Sequence, residues 1–377
     1  MVEEFDSPWG CHSHADQVTE REAYIAFNMT EHVGSIGVAR LAAQCGGVAA
    51  AWEMYPNKVS RSGGAVDWQG EIAKAEAIGV KIVTPADDDY PPQLLAASGH
   101  PIALYVKGNV KALSKPSIAM VGTRKATPYG LDQAFRFARD LAANGWVIVS
   151  GLALGIDAEC HRGAISVEKG VTVGVIGSAL NKFYPEKNIS LAREIVEKGG
   201  AVVSEFPFGR APDQQTFPQR NHVVAGLARA VIAVEAPFKS GTMITMGIAA
   251  DLGRTVMAIP GRVDSQASAG CLALIRDGAV LVRSPRDVES ELSNLPGLDA
   301  PRTAQQNSAP PTAASPAMSA EEIAIMREVT DEGISMDELV RKTSLSPAQV
   351  NSTAMTLLMK ERVRFLPGNR IALPRRS

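Results

Sequence analysis

The sequence contains few cysteines and few aromatic residues. Its four cysteines, Cys11, Cys45, Cys160 and Cys271, are scattered and form no C-x-x-C pair. This spacing argues against a disulfide framework and against a cysteine-rich zinc site, and it is typical of a reducing compartment. Aromatic residues make up only 5% of the chain, so the core must be built mainly from Val, Ile, Leu and Ala.

The sequence also lacks an excess of charge of one sign and a long apolar run. Its 38 Lys and Arg residues and 40 Asp and Glu residues give a net charge of −2, which argues against a protein that coats nucleic acid over its whole surface. Any nucleic-acid binding must therefore use a localised basic pocket. No apolar run approaches the ~20 residues of a membrane span, and no basic start precedes an apolar stretch as in a signal peptide. We expect a cytoplasmic protein that does not associate with membranes.

The length of 377 residues predicts two or three domains. Residues 1–18 are interpreted as a flexible leader. Cys11, His12 and His14 could ligate a metal ion there, but a mobile polar tail is the favoured interpretation. No metal site and no cofactor is therefore predicted.

Residues 19–79 follow a helical, Ala-rich pattern that predicts a small helical domain. Within it, Val33-Gly34-Ser35-Ile36-Gly37 resembles a helix–hairpin–helix turn of the SAM-like kind. Its glycines would let backbone N–H groups approach a phosphate. A plain helical connection explains the same residues equally well.

An α/β domain is predicted for residues 80–290, because short runs rich in Val and Ile alternate there with helical stretches. Apolar runs without strict alternation are typical of parallel strands that helices cover on both faces. Strands separated by helices give βαβ units and an extended, Rossmann-like, doubly wound sheet. The predicted strands span residues 80–83, 102–106, 117–121, 146–150, 171–176, 201–204, 230–234, 255–259 and 279–282.

The C-terminal part of the chain is predicted to be a linker followed by a second domain. Residues 291–320 contain five prolines and no aromatic residue, which is typical of a linker. Helices are predicted at residues 321–330, 335–343 and 346–361, the second of them opened by a capping box of Ser335 and Glu338. A hairpin follows at residues 363–366 and 371–373. Three helices and a hairpin predict a winged-helix-like domain at residues 321–377.

Several of the predicted strands end in glycine, a small hydroxyl residue or a basic residue, directly before a helix. Ligands of open α/β sheets bind at the carboxyl ends of the strands. Glycine lets a ligand approach the backbone, and helix N-termini offer unpaired N–H groups to anions. One such turn is often only a tight connection, but several at one sheet edge predict a phosphate-bearing ligand. The residues concerned are Gly122, Thr123, Arg124, Lys125, Gly151, Gly155, Asp157, Gly177, Lys239, Ser240, Gly241 and Thr242.

A further segment, Phe217-Pro218-Gln219-Arg220-Asn221-His222, combines a ring with cationic and amide groups. A ring that stacks on a base, beside cations for the phosphates, is what single-stranded nucleic acid requires. Such a segment is also typical of a helix start with a surface arginine. The P-loop pattern is absent, and no strand is followed by G-x-G-x-x-G with its acidic residue, which disfavours a P-loop ATPase and nicotinamide binding.

Asp157 and His161 are four residues apart at the start of a predicted helix. They could form an acid–base pair. The favoured interpretation is that Asp157 caps the helix and His161 forms a local hydrogen bond, because no nucleophile is spaced to use them.

Taken together, these motifs resemble the DprA/Smf family of DNA-processing proteins. The similar blocks occur in the family's order across residues 80–285, about half of the chain. They are Val121-Gly-Thr-Arg124, Ser150-Gly-Leu-Ala-Leu-Gly-Ile-Asp-Ala-Glu-Cys-His-Arg-Gly-Ala164, Tyr184-Pro-Glu-Lys-Asn188, Ser204-Glu-Phe-Pro207, Phe217-Pro-Gln-Arg-Asn221, Ala225-Gly-Leu227, Val234-Glu-Ala236, Ser240-Gly-Thr-Met-Ile-Thr245 and Ile259-Pro-Gly261.

The resemblance implies a binding protein rather than an enzyme. It implies a homodimer that holds single-stranded DNA in a basic pocket of the Rossmann-like domain and loads the RecA recombinase onto it. Recombination of incoming DNA during natural transformation is the function implied. By position, Arg124, Gly151, Phe217, Arg220 and Asn221 would line the path of the strand, with residues 240–242 beside it.

The sequence departs from the family pattern at two places. His222 stands where the family usually has a second arginine, and a neutral imidazole would bind phosphate less well. Asp213 and Gln214 stand where a lysine or histidine is frequent. Lys125, Lys182 or Lys239 could compensate for the lost charge.

Two other functions remain open from the sequence. The first is a nucleotide phosphoribohydrolase-like enzyme on the same fold, although Thr245 occupies the position of that family's glutamate. The second is a regulator whose winged helix reads duplex DNA through residues 347–360. The basic residues Arg362, Arg364, Arg370, Arg375 and Arg376 would favour contacts to phosphates over contacts to bases.

Overall fold

The computed structural model describes residues 18–30, 33–61, 63–293, 319–330, 333–359, 362–366 and 370–373. The chain divides into two compact units, Met1–Thr303 and Ala304–Ser377. Cys11, His12 and His14 lie outside the described residues, as do the predicted leader up to residue 17 and residues 294–318 of the predicted linker.

The first unit begins with a group of helices. They are α1 (Glu20–Met29), α2 (Ser35–Cys45), α3 (Val48–Met54) and α4 (Trp68–Ala77). Thr19 and Glu22 form a capping box that satisfies N–H groups at the start of α1. The ring of Phe27 in α1 packs edge-on against Trp52 in α3, with 5.1 Å between the ring centroids. Of the turn predicted at residues 33–37, Gly34 is the N-cap residue of α2 and the three residues after it lie within that helix.

The chain then forms alternating strands and helices. In order they are β1 (Val80–Val83), α5 (Pro92–Leu95), β2 (Leu104–Gly108), β3 (Ser117–Val121), α6 (Pro128–Ala143), β4 (Val147–Ser150), α7 (Ile156–Ile165), β5 (Thr172–Val175), α8 (Ile189–Glu197), β6 (Ala201–Ser204), α9 (Thr216–Leu227), β7 (Ala230–Ala233), α10 (Gly241–Asp251), β8 (Thr255–Ala258), α11 (Ala269–Arg276), β9 (Val280–Leu281) and α12 (Pro285–Ser293). The last helix continues beyond residue 291, where the linker was predicted to begin.

Within the described residues these strands form one nine-stranded sheet in the order β1-β2-β6-β5-β4-β3-β7-β8-β9. Along the part of this order that runs from β6 to β9, each strand pairs in parallel with the next. β1 pairs antiparallel with β2, and β2 pairs antiparallel with β6. The predicted doubly wound, Rossmann-like sheet is confirmed, with an antiparallel pair added at one edge.

The strands from β3 to β7 are buried on both faces of the sheet, and they are apolar at nearly every position. In β3, Ile118 and Met120 point to one face, where α6 and α7 pack, and Phe137 of α6 is part of the same cluster. Ala119 and Val121 point to the other face, where α9 and α10 pack. Side chains of a strand alternate between faces, so a strand covered on both sides must be apolar throughout.

The N-terminal helices share a core with the antiparallel edge of the sheet. Ile25 and Met29 of α1 are buried in one cluster with Val80 and Ile82 of β1 and Tyr105 of β2. Residues 19–79 and the sheet therefore lie in the same compact unit.

The second unit has its own core and its own small sheet. Its elements are α13 (Ala320–Glu328), β10 (Ile334–Ser335), α14 (Met336–Thr343), α15 (Pro347–Met359), β11 (Arg364–Leu366) and β12 (Arg370–Ala372). The strand order is β10-β12-β11, and Leu339, Val350 and Leu357 are fully buried between the helices. The predicted winged-helix-like arrangement is confirmed, although strand β10 was not predicted. Arg375 and Arg376 lie outside the described residues.

None of the helices in the described ranges is both long enough and apolar enough to span a membrane.

Candidate functional site

The order of the strands in the sheet reverses direction at β3, which makes β3 the topological switch point. The chain proceeds from β3 to β6 on one side of the sheet and continues with β7 to β9 on the other side. Ligands of such sheets bind beyond the carboxyl ends of the strands at this point. The backbone N–H of Thr123, after β3, donates to the carbonyl oxygen of Glu235, after β7, at 2.8 Å. The carboxylate of Glu235 also accepts hydrogen bonds from the backbone N–H and the hydroxyl of Thr127, so the two loops are held together.

A cleft with a volume of about 510 Å³ lies above these two loops; we call it the switch-point cleft. Most of the residues predicted from the strand ends and from the 217–222 segment line it. They are Gly122, Thr123, Arg124, Lys125, Gly151, Asp157, Phe217, Arg220, Asn221, Lys239, Ser240, Gly241 and Thr242.

Gly155 and Gly177 support the switch-point cleft without lining it. Gly155 has a φ of +78°, and a Cβ there would lie 2.5 Å from the carbonyl oxygen of Thr123. It therefore allows α7 to start close against the loop after β3. A Cβ on Gly177 would lie 2.9 Å from the ring of Phe217, so this glycine leaves room for the ring.

His222 does not join the other predicted residues. It lies on the opposite side of α9 and lines a different cavity, together with Gln219 and Glu205. Burial lowers the pKa of its imidazole, which favours the neutral form. His222 therefore does not line the switch-point cleft, and its role in nucleic-acid binding stays a prediction.

Phe217 is held between a cation and a second ring. The guanidinium carbon of Arg124 lies 5.0 Å from the centroid of the Phe217 ring. Tyr184 lies on another side, with 6.2 Å between the ring centroids and an angle of 54° between the planes. Tyr184 is 45% exposed and was not among the predicted site residues. The 184–188 block, already part of the family resemblance, was the signal that could have identified it.

Arg220 lies in the floor of the switch-point cleft and is only 6% exposed. Its guanidinium donates to the carbonyl oxygens of Gly151 and Val175, at the ends of β4 and β5, and its Nε donates to Oδ1 of Asn221. Burial lowers the pKa of Arg220, while the charge of Asp157 raises it. Arg220 thus ties α9 to the sheet, and its charge is stabilised by buried acceptors.

Asp157 does not cap α7, contrary to the favoured interpretation. The N-cap residue is Gly155, and Asp157 lies inside the first turn. Burial raises the pKa of Asp157, whereas the charge of Arg220 and hydrogen bonds from the backbone of Ala153 and Gly122 lower it. The carboxylate thus serves to hold together the loops that form the cleft.

His161 is fully buried and bonds to a neighbouring strand. Its Nδ1 lies 2.7 Å from the hydroxyl oxygen of Thr172, and that hydroxyl donates its hydrogen to the carbonyl oxygen of Ile148. Nδ1 must therefore donate to Thr172. Burial lowers the pKa of His161 to about 3, so the ring stays neutral. His161 serves the packing of α7 on the sheet.

Asp213 has a structural role at the start of α9. Its Oδ1 accepts hydrogen bonds from the backbone N–H groups of Gln215 and Thr216, at 2.8 and 2.9 Å. These bonds lower the pKa of Asp213, and its Oδ2 pairs with Arg210. The acidic residue therefore sets the first turn of α9 and with it the position of Phe217.

Lys125 and Lys239 are exposed on the rim of the switch-point cleft, whereas Lys182 is not among the residues that line it. Within the described ranges, no three His, Cys, Asp or Glu side chains are grouped as a metal site requires. The arrangement offers exposed cations, backbone amides and one aromatic face to a ligand.

Comparison with known proteins establishes the family. The family described as DNA recombination-mediator protein A matches residues 81–293, and the DprA winged helix domain matches residues 309–369. The chain belongs to the DNA recombination-mediator protein A (DprA) family. The resemblance drawn from the sequence is thereby confirmed.

Individual members of the DprA family show the same relationship. Protein Smf of Escherichia coli is 42% identical over 212 residues, which span 56% of this chain and 56% of that relative. The structure of DNA processing protein A from Streptococcus pneumoniae superposes with a TM-score of 0.61 at 32% identity, and the match covers 73% of this chain and 98% of that one. A structure of DNA processing protein A from Helicobacter pylori, described as revealing a single-stranded DNA binding mode, superposes with a TM-score of 0.51 at 30% identity. That match covers 56% of this chain and 96% of the other.

Proposed function

We propose that this protein binds single-stranded DNA in the switch-point cleft. The observation that carries the proposal is the ring of Phe217, which stands at a glycine-lined sheet edge with the guanidinium of Arg124 over it. An aromatic face beside cations binds successive bases and phosphates of an unpaired strand without requiring a particular sequence.

The start of α10 provides a second supporting feature. Ser240 is its N-cap residue but makes no side-chain capping bond, and its buried hydroxyl oxygen has no hydrogen-bond partner among the described residues. A Cβ built on Gly241 would meet nothing within 4 Å. A phosphate can approach this helix start closely and accept hydrogen bonds from its amides and hydroxyl.

The residues of the switch-point cleft favour binding of the strand without a catalytic step. Thr245, at the position of the phosphoribohydrolase glutamate, donates its hydroxyl to the carbonyl oxygen of Gly241. Asp157 is the one acidic residue among the described residues that line the cleft. Its carboxylate accepts backbone hydrogen bonds and lies close to the charge of Arg220. A phosphoribohydrolase of the kind considered above would need a carboxylate that is free to act on its substrate.

The proposal extends to the role implied by the family. In that role, a cytoplasmic homodimer passes the bound strand to RecA and so mediates recombination of incoming DNA during natural transformation. Membership of the DprA family and the binding mode described for the Helicobacter pylori protein support this extension.

Titration of the full chain with single-stranded and duplex oligonucleotides of equal length, with and without RecA, tests the proposal. We expect tighter binding of the single strand and faster assembly of RecA on it in the presence of the protein. Equal affinity for the two DNA forms, retained in the Phe217→Ala variant, would refute the cleft assignment. Equal affinity that is lost on removal of the winged-helix-like domain would favour the duplex-reading alternative.

A further inference from the structure

A second cavity, of about 430 Å³, lies across α9 from the switch-point cleft. Its other walls come from the N-terminal helices and from the segment after β6, and we call it the α9 cavity. Helix α9 and the residue before it supply one set of side chains to the cleft and another to the α9 cavity, and each set has the spacing of one helix face. Phe217, Arg220, Asn221 and Val224 line the cleft, while Gln215, Pro218, Gln219 and His222 line the α9 cavity.

One hydrogen-bond acceptor at the α9 cavity has no partner among the described residues. Glu205 lines the cavity, and the buried Oε1 atom of this residue is that acceptor. Burial raises the pKa of Glu205 to about 7, against the opposing effect of the charge of Arg61. Buried polar atoms of native proteins are nearly always paired, because an unpaired one costs free energy. A ligand that donates a hydrogen bond to Oε1 would provide this pairing.

The rest of the α9 cavity suits a flat group with polar edges. Phe206, which is 7% exposed, and Ile102, which is 6% exposed, contribute apolar surface. The amides of Gln215 and Gln219 lie on the wall formed by α9, and α2 starts at the cavity without a side-chain cap. A volume of this size is within the range of small-ligand sites. A nucleobase with its attached phosphate combines these properties.

We propose that the α9 cavity receives one base of the strand held in the switch-point cleft, and that Glu205 selects bases with an exocyclic amino group over thymine. The inference rests on the proposed function. Carboxylate oxygens accept hydrogen bonds from the amino group of cytosine, and adenine and guanine carry amino groups as well. Thymine has no exocyclic amino group. Its single donor, N3–H, lies between two carbonyl oxygens, and their lone pairs repel the carboxylate oxygen that approaches it.

Binding of oligo(dC) and oligo(dT) of equal length tests this inference. The net contribution of a single hydrogen bond corresponds to a preference of about fivefold, so we expect the full chain to bind oligo(dC) more tightly than oligo(dT) by about that factor. Glu205→Leu removes the acceptor, and we expect it to abolish the preference by weakening oligo(dC) alone. Glu205→Gln adds an N–H donor that can pair with a carbonyl oxygen of thymine, so it should reduce the preference by strengthening the binding of oligo(dT). Glu168→Gln, at an exposed glutamate, removes the same charge elsewhere and should leave the ratio unchanged.

The outcomes separate this inference from the proposed function. Equal affinity of the unmodified chain for the two oligonucleotides, with both still dependent on Phe217, overturns the inference and leaves the function standing. A failure to bind either oligonucleotide overturns the function. If dCMP displaces labelled oligo(dC) as effectively as unlabelled oligo(dC) does, the α9 cavity binds a free nucleotide. That result would overturn the assignment of the cavity to a base of the strand.

Discussion

The guanidinium of Arg124 covers the ring of Phe217, with 5.0 Å between the guanidinium carbon and the ring centroid. This contact joins the loop after β3 to the first turn of α9. A ring held in this way loses little conformational freedom when a base stacks on it, and such preorganisation favours affinity. The guanidinium of Arg124 also places a positive charge beside the position of the stacked base, where it can bind the phosphate attached to that nucleotide.

Replacement of Phe217 by alanine should weaken the binding of single-stranded DNA by about 1–3 kcal/mol, because one base loses its stacking partner. Phe217→Leu keeps most of the apolar volume but not the flat face, and it should show a similar loss. Fluorescence anisotropy with oligo(dT) measures both, and thermal denaturation verifies that both variants fold. Unchanged affinity in the two variants would remove Phe217 from the site.

Replacement of Arg124 by alanine should make the binding of single-stranded DNA less dependent on salt. Each neutralised phosphate contributes about −0.7 to the slope of log K against log salt on single strands, so the slope should become shallower by up to about that amount. Arg136→Ala is the matched control, since Arg136 is an exposed arginine of α6 that pairs with Asp132. Equal slopes for the two variants would show that Arg124 contacts no phosphate.

Gly151→Ala should damage both stability and binding. A Cβ there would lie 2.4 Å from the guanidinium of Arg220 and 2.6 Å from the carboxylate of Asp157, so the buried groups must shift, at a cost of about 1–3 kcal/mol. Gly247→Ala is the control, because nothing lies within 4 Å of that position in α10. The control should gain about 0.5–1 kcal/mol from improved helix propensity. Urea denaturation compares the two, and equal stabilities would contradict the packing described for Gly151.

Glu205 should make the stability of the DNA-free protein decrease with rising pH. Its pKa in the folded chain is about 7, compared with 4.5 as the ordinary value, so the folded state binds the proton more tightly. The stability conferred by the neutral carboxyl is complete below pH 4.5 and is lost as the pH rises through 7. Relative to Glu205→Gln, the loss is on the order of 3 kcal/mol. Denaturation of both proteins across this range measures the loss, and parallel pH profiles would show that folding does not raise the pKa of Glu205.

The strands of the sheet could be predicted from the sequence because burial on both faces leaves an unmistakable local pattern. β3 and β6 begin and end at the predicted residues 117–121 and 201–204. The place of β2 could not be predicted in the same way. It pairs antiparallel with β6, nearly a hundred residues further along the chain, and no local pattern encodes a pairing over that separation.

Most residues of the switch-point cleft could be predicted from the sequence, but the directions in which their side chains point could not all be predicted. Helical spacing from Phe217 leads to Arg220, Asn221 and Val224 on one face. His222 lies off that face, and this periodicity could have placed it outside the switch-point cleft. The burial of Arg220 was not predictable, because its acceptors on Gly151 and Val175 lie 69 and 45 residues away.

The antiparallel strands β1 and β2 have a consequence for the solubility of shorter forms of this protein. β2 occupies the hydrogen-bonding edge of β6 through the register from Tyr105 opposite Ser204 to Gly108 opposite Ala201. A chain truncated to begin at β3 would expose that row of amide and carbonyl groups on an apolar strand. Unpaired strand edges of this kind form hydrogen bonds with strands of other chains. Strands β1 and β2 therefore protect the sheet from self-association through β6.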